Sequence, residues 1–194
     1  MEILFATHNN HKVKEIKEMF SEVKILTLDE FYDEDEVAET GKTFAENAGL
    51  KARYYYQKYK VPVIADDSGL LVTALNDEPG VHSARYSVTG SYADNNKLLL
   101  QRMKNITKRN ACFITAICFI DAKGQEKYFT GKIEGKITEQ LQGTSGFGYD
   151  PLFLVPDLNK TFAEMSLAEK NEISHRALAL KEFAKYLQSI ILKR

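Results

Sequence analysis

The chain has 194 residues, 44% of them hydrophobic, which is the length of one domain with enough apolar surface for a continuous core. Its 26 basic and 27 acidic residues leave a formal charge of −1, so no long-range field draws the whole molecule to a polynucleotide or an anionic membrane. The apolar stretch in MEILFATHNNHK is too short and wrongly flanked for a signal peptide, and no run reaches transmembrane length; a single cytoplasmic domain over 1–194 is expected.

Ile3 to Ala6 is a short apolar run, and Val13, Ile16, Met19 and Phe20 follow at helical spacing, which predicts strand, loop and helix. A second strand is expected over Lys24 to Leu28. An acidic loop of solvated charges then runs from Asp29 to Glu39, before a helix carrying Phe44, Ala48, Ala52, Tyr55 and Tyr59. Pro62 opens a short buried strand over Val63 to Ala65, and Asp66-Asp67-Ser68-Gly69 reads as a bend before another strand from Leu70 to Ala74. Asn76 to Gly90 reads as a long loop and Ala93 to Lys104 as a helix. Ala111 to Ile120 is almost continuously apolar, the pattern of a strand covered on both faces. Cys112 and Cys118 within it lack the paired spacing of a zinc site and read as core thiols. Asp121 to Gly124 predicts a hairpin turn into a half-buried strand, where Phe129, Gly131, Ile133, Gly135 and Ile137 alternate with polar residues. A glycine-rich loop spans Gly143 to Pro151. A C-terminal helix from about Ser174 carries Ala177, Leu180, Ala184, Leu187 and Ile191 on one face. This order predicts an α/β fold with a mixed central β-sheet flanked by helices, binding ligands at loops beyond strand ends.

Four polar clusters sit at such places. Thr7-His8-Asn9-Asn10-His11-Lys12 lies between a strand and a helix start, where free backbone N–H groups and an ammonium can converge on a phosphate; the alternative is a simple capped turn. The loop has no Walker-type glycine pattern. Asp66 and Asp67 are adjacent carboxylates whose repulsion a divalent cation would relieve, with Glu39 as a second carboxylate; the alternative is an Asp-Ser-Gly turn. Ser145 to Pro151 sets Phe147 and Tyr149 between glycines, so either ring can stack on a nucleobase or pin the loop to the core. Ser174-His175-Arg176 supplies imidazole and guanidinium donors, or else a helix cap and two surface residues. No nucleophilic triad is legible.

Taken in order, ATHNNHKVKE, ETGKTFAENAGLKAR, ADDSGL, PGVHSARY, TSGFGYDPLF, KTFAEM and EKNEISHRALAL resemble the inosine triphosphate pyrophosphatase family, from residue 6 to about 180. The resemblance implies an elongated, two-lobed α/β fold with a cleft, a homodimer, Mg²⁺ as cofactor, and hydrolysis of a purine nucleoside triphosphate to monophosphate and pyrophosphate. By position, Thr7, His8, Asn9, Asn10, His11 and Lys12 look like the triphosphate loop, Asp67 like the proton acceptor and metal ligand, and Ser68 like a substrate contact. Phe147, Gly148, Tyr149, Asp150, Lys170, His175 and Arg176 look like the base-recognition set, and Lys51 like a lysine that reaches the phosphates. Many members carry two acids before the Thr-Gly pair where this chain has Ala38 and Glu39, which leaves Glu39 as the metal candidate there. Many also have Gly where this chain has His11. Action on modified pyrimidine triphosphates and a non-catalytic nucleotide-binding module are the competing expectations.

Overall fold

The computed structural model describes residues 2–20 and 23–191; the side chain of Ile191, expected on the C-terminal helix face, lies outside the described residues. The strands are β1 (Glu2–Phe5), β2 (Lys24–Thr27), β3 (Val63–Val72), β4 (Glu78–Pro79), β5 (Asn110–Ile120), β6 (Glu126–Ile137), β7 (Phe153–Val155) and β8 (Lys160–Thr161). They are ordered β2-β1-β3-β5-β6-β7-β8, with β4 paired to β3. β1 runs parallel to β2 and β3, whereas β3–β4, β6–β7 and β7–β8 are antiparallel, so the sheet is mixed as expected. The helices are α1 (Asn10–Met19), α2 (Phe44–Tyr59), α3 (Tyr92–Arg102), α4 (Leu167–Ile173) and α5 (His175–Ile191). Packing divides the chain into two compact units: Met1–Asp67, Thr115–Gly131 and Arg176–Arg194 form the first, and Ser68–Ile114 with Lys132–His175 the second.

In the first unit the two-residue period of the strands sorts side chains into two apolar layers. Ile3, Phe5, Ile25, Ile64, Ile117 and Phe119 pack with Ile16 of α1 and with Ala179, Leu180, Phe183 and Leu187 of α5. Their strand neighbours Leu4, Ala6, Leu26, Val63, Ala65, Cys118 and Ile120 face the other way, against Ala48, Ala52 and Tyr55 of α2. The second unit has one core, in which Leu70, Val72, Phe113, Ile137 and Phe153 meet Leu99 of α3, Met103 just after it, Tyr149 and Phe162. Both cysteines are free and buried. The hairpin after β5 forms as expected, with Asp121 Oδ1 accepting from the N–H groups of Lys123 and Gln125.

Three expectations require correction. The Asp66 to Gly69 segment is not a bend: β3 passes through it unbroken, because the buried carboxylates are each paired by side chains from flanking helices. The acidic stretch is not wholly a solvated loop. It starts as a 3₁₀ helix, Leu28–Phe31, under a Thr27/Glu30 capping box, and its Asp33 is buried against Lys58 and the Tyr59 hydroxyl. Asn76 to Gly90 contains β4 and a 3₁₀ helix, Gly80–Arg85, whose Ser83 Oγ accepts from the Leu70 N–H at 2.9 Å. α4 was not anticipated, although Ser166 and Glu169 form the capping box that announces it. Two outcomes follow from the unbroken strand. The Asp66 to Gly69 amides should exchange with solvent as slowly as those of Val63 to Ala65 by NMR, and Ser83→Ala, which orphans the Leu70 N–H, should cost about 1–3 kcal/mol in urea unfolding.

Candidate functional site

The layering of the first unit extends to its charged residues. Asp66 continues the face of Ile64 and meets α1 and α5: it accepts from Lys12 Nζ at 3.0 Å and from Arg176 Nε at 3.2 Å. Arg176 also pairs with Glu15 of α1, and both are almost fully buried. Asp67 continues the face of Val63 and Ala65 and meets α2, where Asn47 Nδ2 donates to its Oδ2 at 2.9 Å. One helical turn beyond Asn47, Lys51 Nζ reaches Glu39 at 2.6 Å. Adjacent in sequence, the two aspartates therefore point to opposite faces of the sheet.

Their environments push them apart in character. Burial alone would raise the Asp66 pKa, but the charges of Lys12, then Arg176 and Lys51, more than offset it and hold the carboxyl well below its ordinary range. For Asp67 burial wins: with the Glu39 charge nearby, it lifts the carboxyl above its ordinary value against the opposing pull of Lys51, the Asn47 hydrogen bond and Lys12. Burial pulls the Lys12 ammonium down, against Asp66. Lys51 is held up by Asp67, Asp66 and Glu39, which outweigh its own desolvation.

The loop before α1 is a capped helix start. Asn9 is the N-cap, and its Oδ1 accepts from the N–H groups of His11 and Lys12 at 3.0 and 3.3 Å, while Thr7 Oγ1 accepts from Asn9 N–H. Two of the backbone donors expected to point outward are thus engaged by Asn9. The positive end of the α1 dipole and Lys12 stay at this loop, Asn10 and His11 are exposed, and His8 Nε2 lies 3.0 Å from the Asp35 carbonyl.

The second unit gathers the other set around Asp150. Its Oδ2 accepts from Lys170 Nζ at 2.7 Å and from Phe147 N–H at 2.9 Å, and both charged side chains are buried. A Cβ on Gly146 would lie 2.0 Å from that oxygen, and its φ of +76 is open to glycine, so this residue is required for the loop to wrap the carboxylate. Phe147 is half-buried, with Lys170 Nζ 4.8 Å from its ring centre and Tyr92 beside it at 6.1 Å. Tyr149 offers no face for stacking: it is buried, and its hydroxyl donates to the Ser83 carbonyl at 2.9 Å. Asn96 Nδ2 holds the Gly148 carbonyl at 2.9 Å. His175 is no surface residue but stacks on Phe113 at 4.6 Å, interplanar angle 8°. Ser68, half-buried, follows Asp67 in β3.

The structure thus brings Lys12, Asp66 and Arg176 into one network and Asp67, Lys51 and Glu39 into another neighbourhood of the same unit, while Phe147, Asp150 and Lys170 cluster in the second unit. Arg176, expected with the base-recognition set, is bonded to Glu15 and Asp66. Glu15 and Asn47 escaped sequence reading. The available signal was their place on the same helix faces as Lys12 and Lys51, three and four residues away. Among the described residues no group of three or more His, Cys, Asp or Glu forms a metal cage. Asp67, lifted by its burial with the Glu39 carboxylate charge nearby, nevertheless fits a hard cation of the kind that takes one or two carboxylates and completes its shell with water and phosphate oxygens.

Fold and site together define a mixed-sheet α/β protein whose third strand carries two buried carboxylates, Asp66 paired with Lys12 and Arg176 on one face and Asp67 with Asn47 on the other. The chain belongs to the Ham1 family, whose model matches residues 3–186. It is 44% identical to the dITP/XTP pyrophosphatase of Listeria innocua, over 98% of this chain and 97% of that relative. It is likewise 44% identical to the dITP/XTP pyrophosphatase of Thermoanaerobacter pseudethanolicus, over 100% of this chain and 98% of that one. The solved structure of the Staphylococcus aureus Ham1 protein superposes with a TM-score of 0.89 at 39% identity, covering 97% of this chain and 99% of that one. The resemblance drawn from the seven motifs is borne out. No helix among the described residues is long and apolar enough to cross a membrane.

Asp66→Asn leaves Lys12 and Arg176 without their shared carboxylate and should cost about 3–5 kcal/mol in chemical denaturation. Because the folded-state pKa of Asp66 is depressed, its contribution is fully present above the unfolded value, about 3.9, and is lost as pH falls below it. The stability gap between wild type and variant should therefore narrow steadily below about pH 4.

Proposed function

We propose that this chain is a nucleoside triphosphate pyrophosphatase that hydrolyses inosine, deoxyinosine and xanthosine triphosphates to the monophosphate and pyrophosphate, with Mg²⁺ as its cofactor. The observation that carries this is the 44% identity, over almost the whole chain, to relatives named dITP/XTP pyrophosphatases. The buried, raised Asp67 beside Lys51 and Glu39 supports it.

Lys12, Lys51 and the positive end of α1 bind the phosphate oxygens. Asp67 and Glu39 hold the divalent cation, which when bound neutralises charge on the phosphates. Asp67, kept basic enough by burial, orients a water toward the α-phosphorus and accepts its proton as the new P–O bond forms and pyrophosphate departs. Asp66 takes no proton: its depressed pKa suits a permanent anchor that fixes Lys12 and Arg176. Positioning and charge neutralisation do most of the catalytic work.

In the second unit Phe147 supplies the stacking face, and Lys170, whose ammonium has further N–H donors beside the one that holds Asp150, supplies the donor for the six-oxo group of hypoxanthine or xanthine. Adenine presents an amino donor at that position, so donor would face donor, a mismatch that can reach ~10⁴-fold in rate.

Pyrophosphate release should be fast from inosine triphosphate with Mg²⁺, abolished by chelator, and slow from adenosine triphosphate. Asp67→Asn should fold normally and lose about 10²–10⁴-fold in kcat. Preference for a modified pyrimidine triphosphate would redirect the substrate assignment, and nucleotide binding without release would leave a binding module.

A further inference from the structure

Asn47 lies in the ENAGLKAR stretch of α2 and has no part in the mechanism above, yet its side chain is fully buried. A buried amide is costly unless both ends are bonded. Both are: Nδ2 donates to Asp67 Oδ2 at 2.9 Å, and Oδ1 accepts from the Gly41 N–H at 2.8 Å. The partners leave no ambiguity in which end is which, since a carboxylate needs a donor and a backbone N–H an acceptor.

We propose that Asn47 is a positioning residue that locks Asp67 and the Glu39 segment into one fixed arrangement. The terminal torsion of a carboxylate is soft, and a donor held on one oxygen fixes its plane. The other end of the same planar amide holds the turn two residues after Glu39. That turn approaches so closely that a Cβ on Gly41 would stand 2.7 Å from Asn47 Oδ1 and 2.7 Å from Glu46 Cβ, which explains the glycine in Glu39-Thr40-Gly41. Lys51, four residues on along α2, draws the Glu39 carboxylate to the same helix face. One rigid helix thereby sets the orientation of Asp67 and the placement of Glu39, and supporting contacts of this kind hold reacting groups within a fraction of an ångström of their working geometry.

This inference rests on the assignment of Asp67 and Glu39 as the cation-holding pair, so the experiment reads the two separately. The full-length protein is titrated with Mn²⁺ alone, followed by electron paramagnetic resonance, and kcat and KM are measured for inosine triphosphate. The same is done for Asn47→Leu, Gly41→Ala, Asp67→Asn and the Asn47→Leu/Asp67→Asn double variant, with circular dichroism to establish the folded fraction. In the folded fraction Asn47→Leu should weaken Mn²⁺ binding at least 10-fold and lower kcat about 100-fold, with KM changed less than 3-fold. Gly41→Ala should move the same two readouts in the same direction. The loss from Asn47→Leu should vanish in the Asp67→Asn background, because a residue acting through Asp67 has nothing left to position. If Asn47→Leu lowers the melting temperature but leaves kcat and Mn²⁺ affinity at wild-type values, the residue is structural only and the proposal falls. If Asn47→Leu does not fold, wild-type values in Gly41→Ala overturn it equally. If wild type binds no Mn²⁺, the cation-pair assignment falls and takes the inference with it.

Discussion

Everything at the site depends on β3 continuing as regular strand through two consecutive buried aspartates. A bend would leave both carboxylates to share one environment and repel each other. The strand sends Asp66 toward α1 and α5 and Asp67 toward α2, and each face supplies its own counter-groups. The same residue type thereby acquires two characters: one is held well below the ordinary carboxyl range by Lys12 and Arg176 despite its burial, and the other is lifted above it by burial. Which aspartate meets which counter-groups is decided by the two-residue period of extended backbone, which turns adjacent side chains to opposite faces.

The second unit solves a related problem differently. Its buried ion pair, Asp150 with Lys170, also gathers a loop N–H, so one carboxylate orders both the backbone around Phe147 and the cation over its ring. Buried pairs of this kind add little net stability because desolvation offsets attraction. Their value here is geometric: the loop can close on Asp150 in one way, through the αL glycine at 146. Tyr149 and Asn96 pin the loop from behind, at the Ser83 and Gly148 carbonyls.

The mixed α/β architecture, the buried β5 and alternating β6, and the start of α1 were all legible in the sequence, because each rests on a local periodicity or cap. The Asp66 to Gly69 segment was misread for a physical reason. Local propensity assigns Asp, Ser and Gly to turns, and what overrides it are partners 54 and 110 residues away in the chain. Asp33 likewise passed for a solvated charge because Lys58 and Tyr59 sit on the next helix. The motif-bearing residues were found by resemblance, but the sequence offered no sign that Arg176 serves Asp66 and Glu15, or that Tyr149 faces inward.

The Arg176 to Glu15 pair spans 161 residues. Its carboxylate partners, Glu15 and Asp66, lie on α1 and β3, and its guanidinium is supplied only by α5. During synthesis, then, β3 and α1 leave the ribosome before the guanidinium they share, with Lys12 the one cation of the network already present for Asp66, and the first unit cannot complete its buried network until α5 arrives. A nascent or prematurely stopped chain would keep these carboxylates hydrated and the surrounding layer open. Completion of the network that anchors Asp66 is thus a late event in the making of this unit, set by the 110 residues between Asp66 and Arg176.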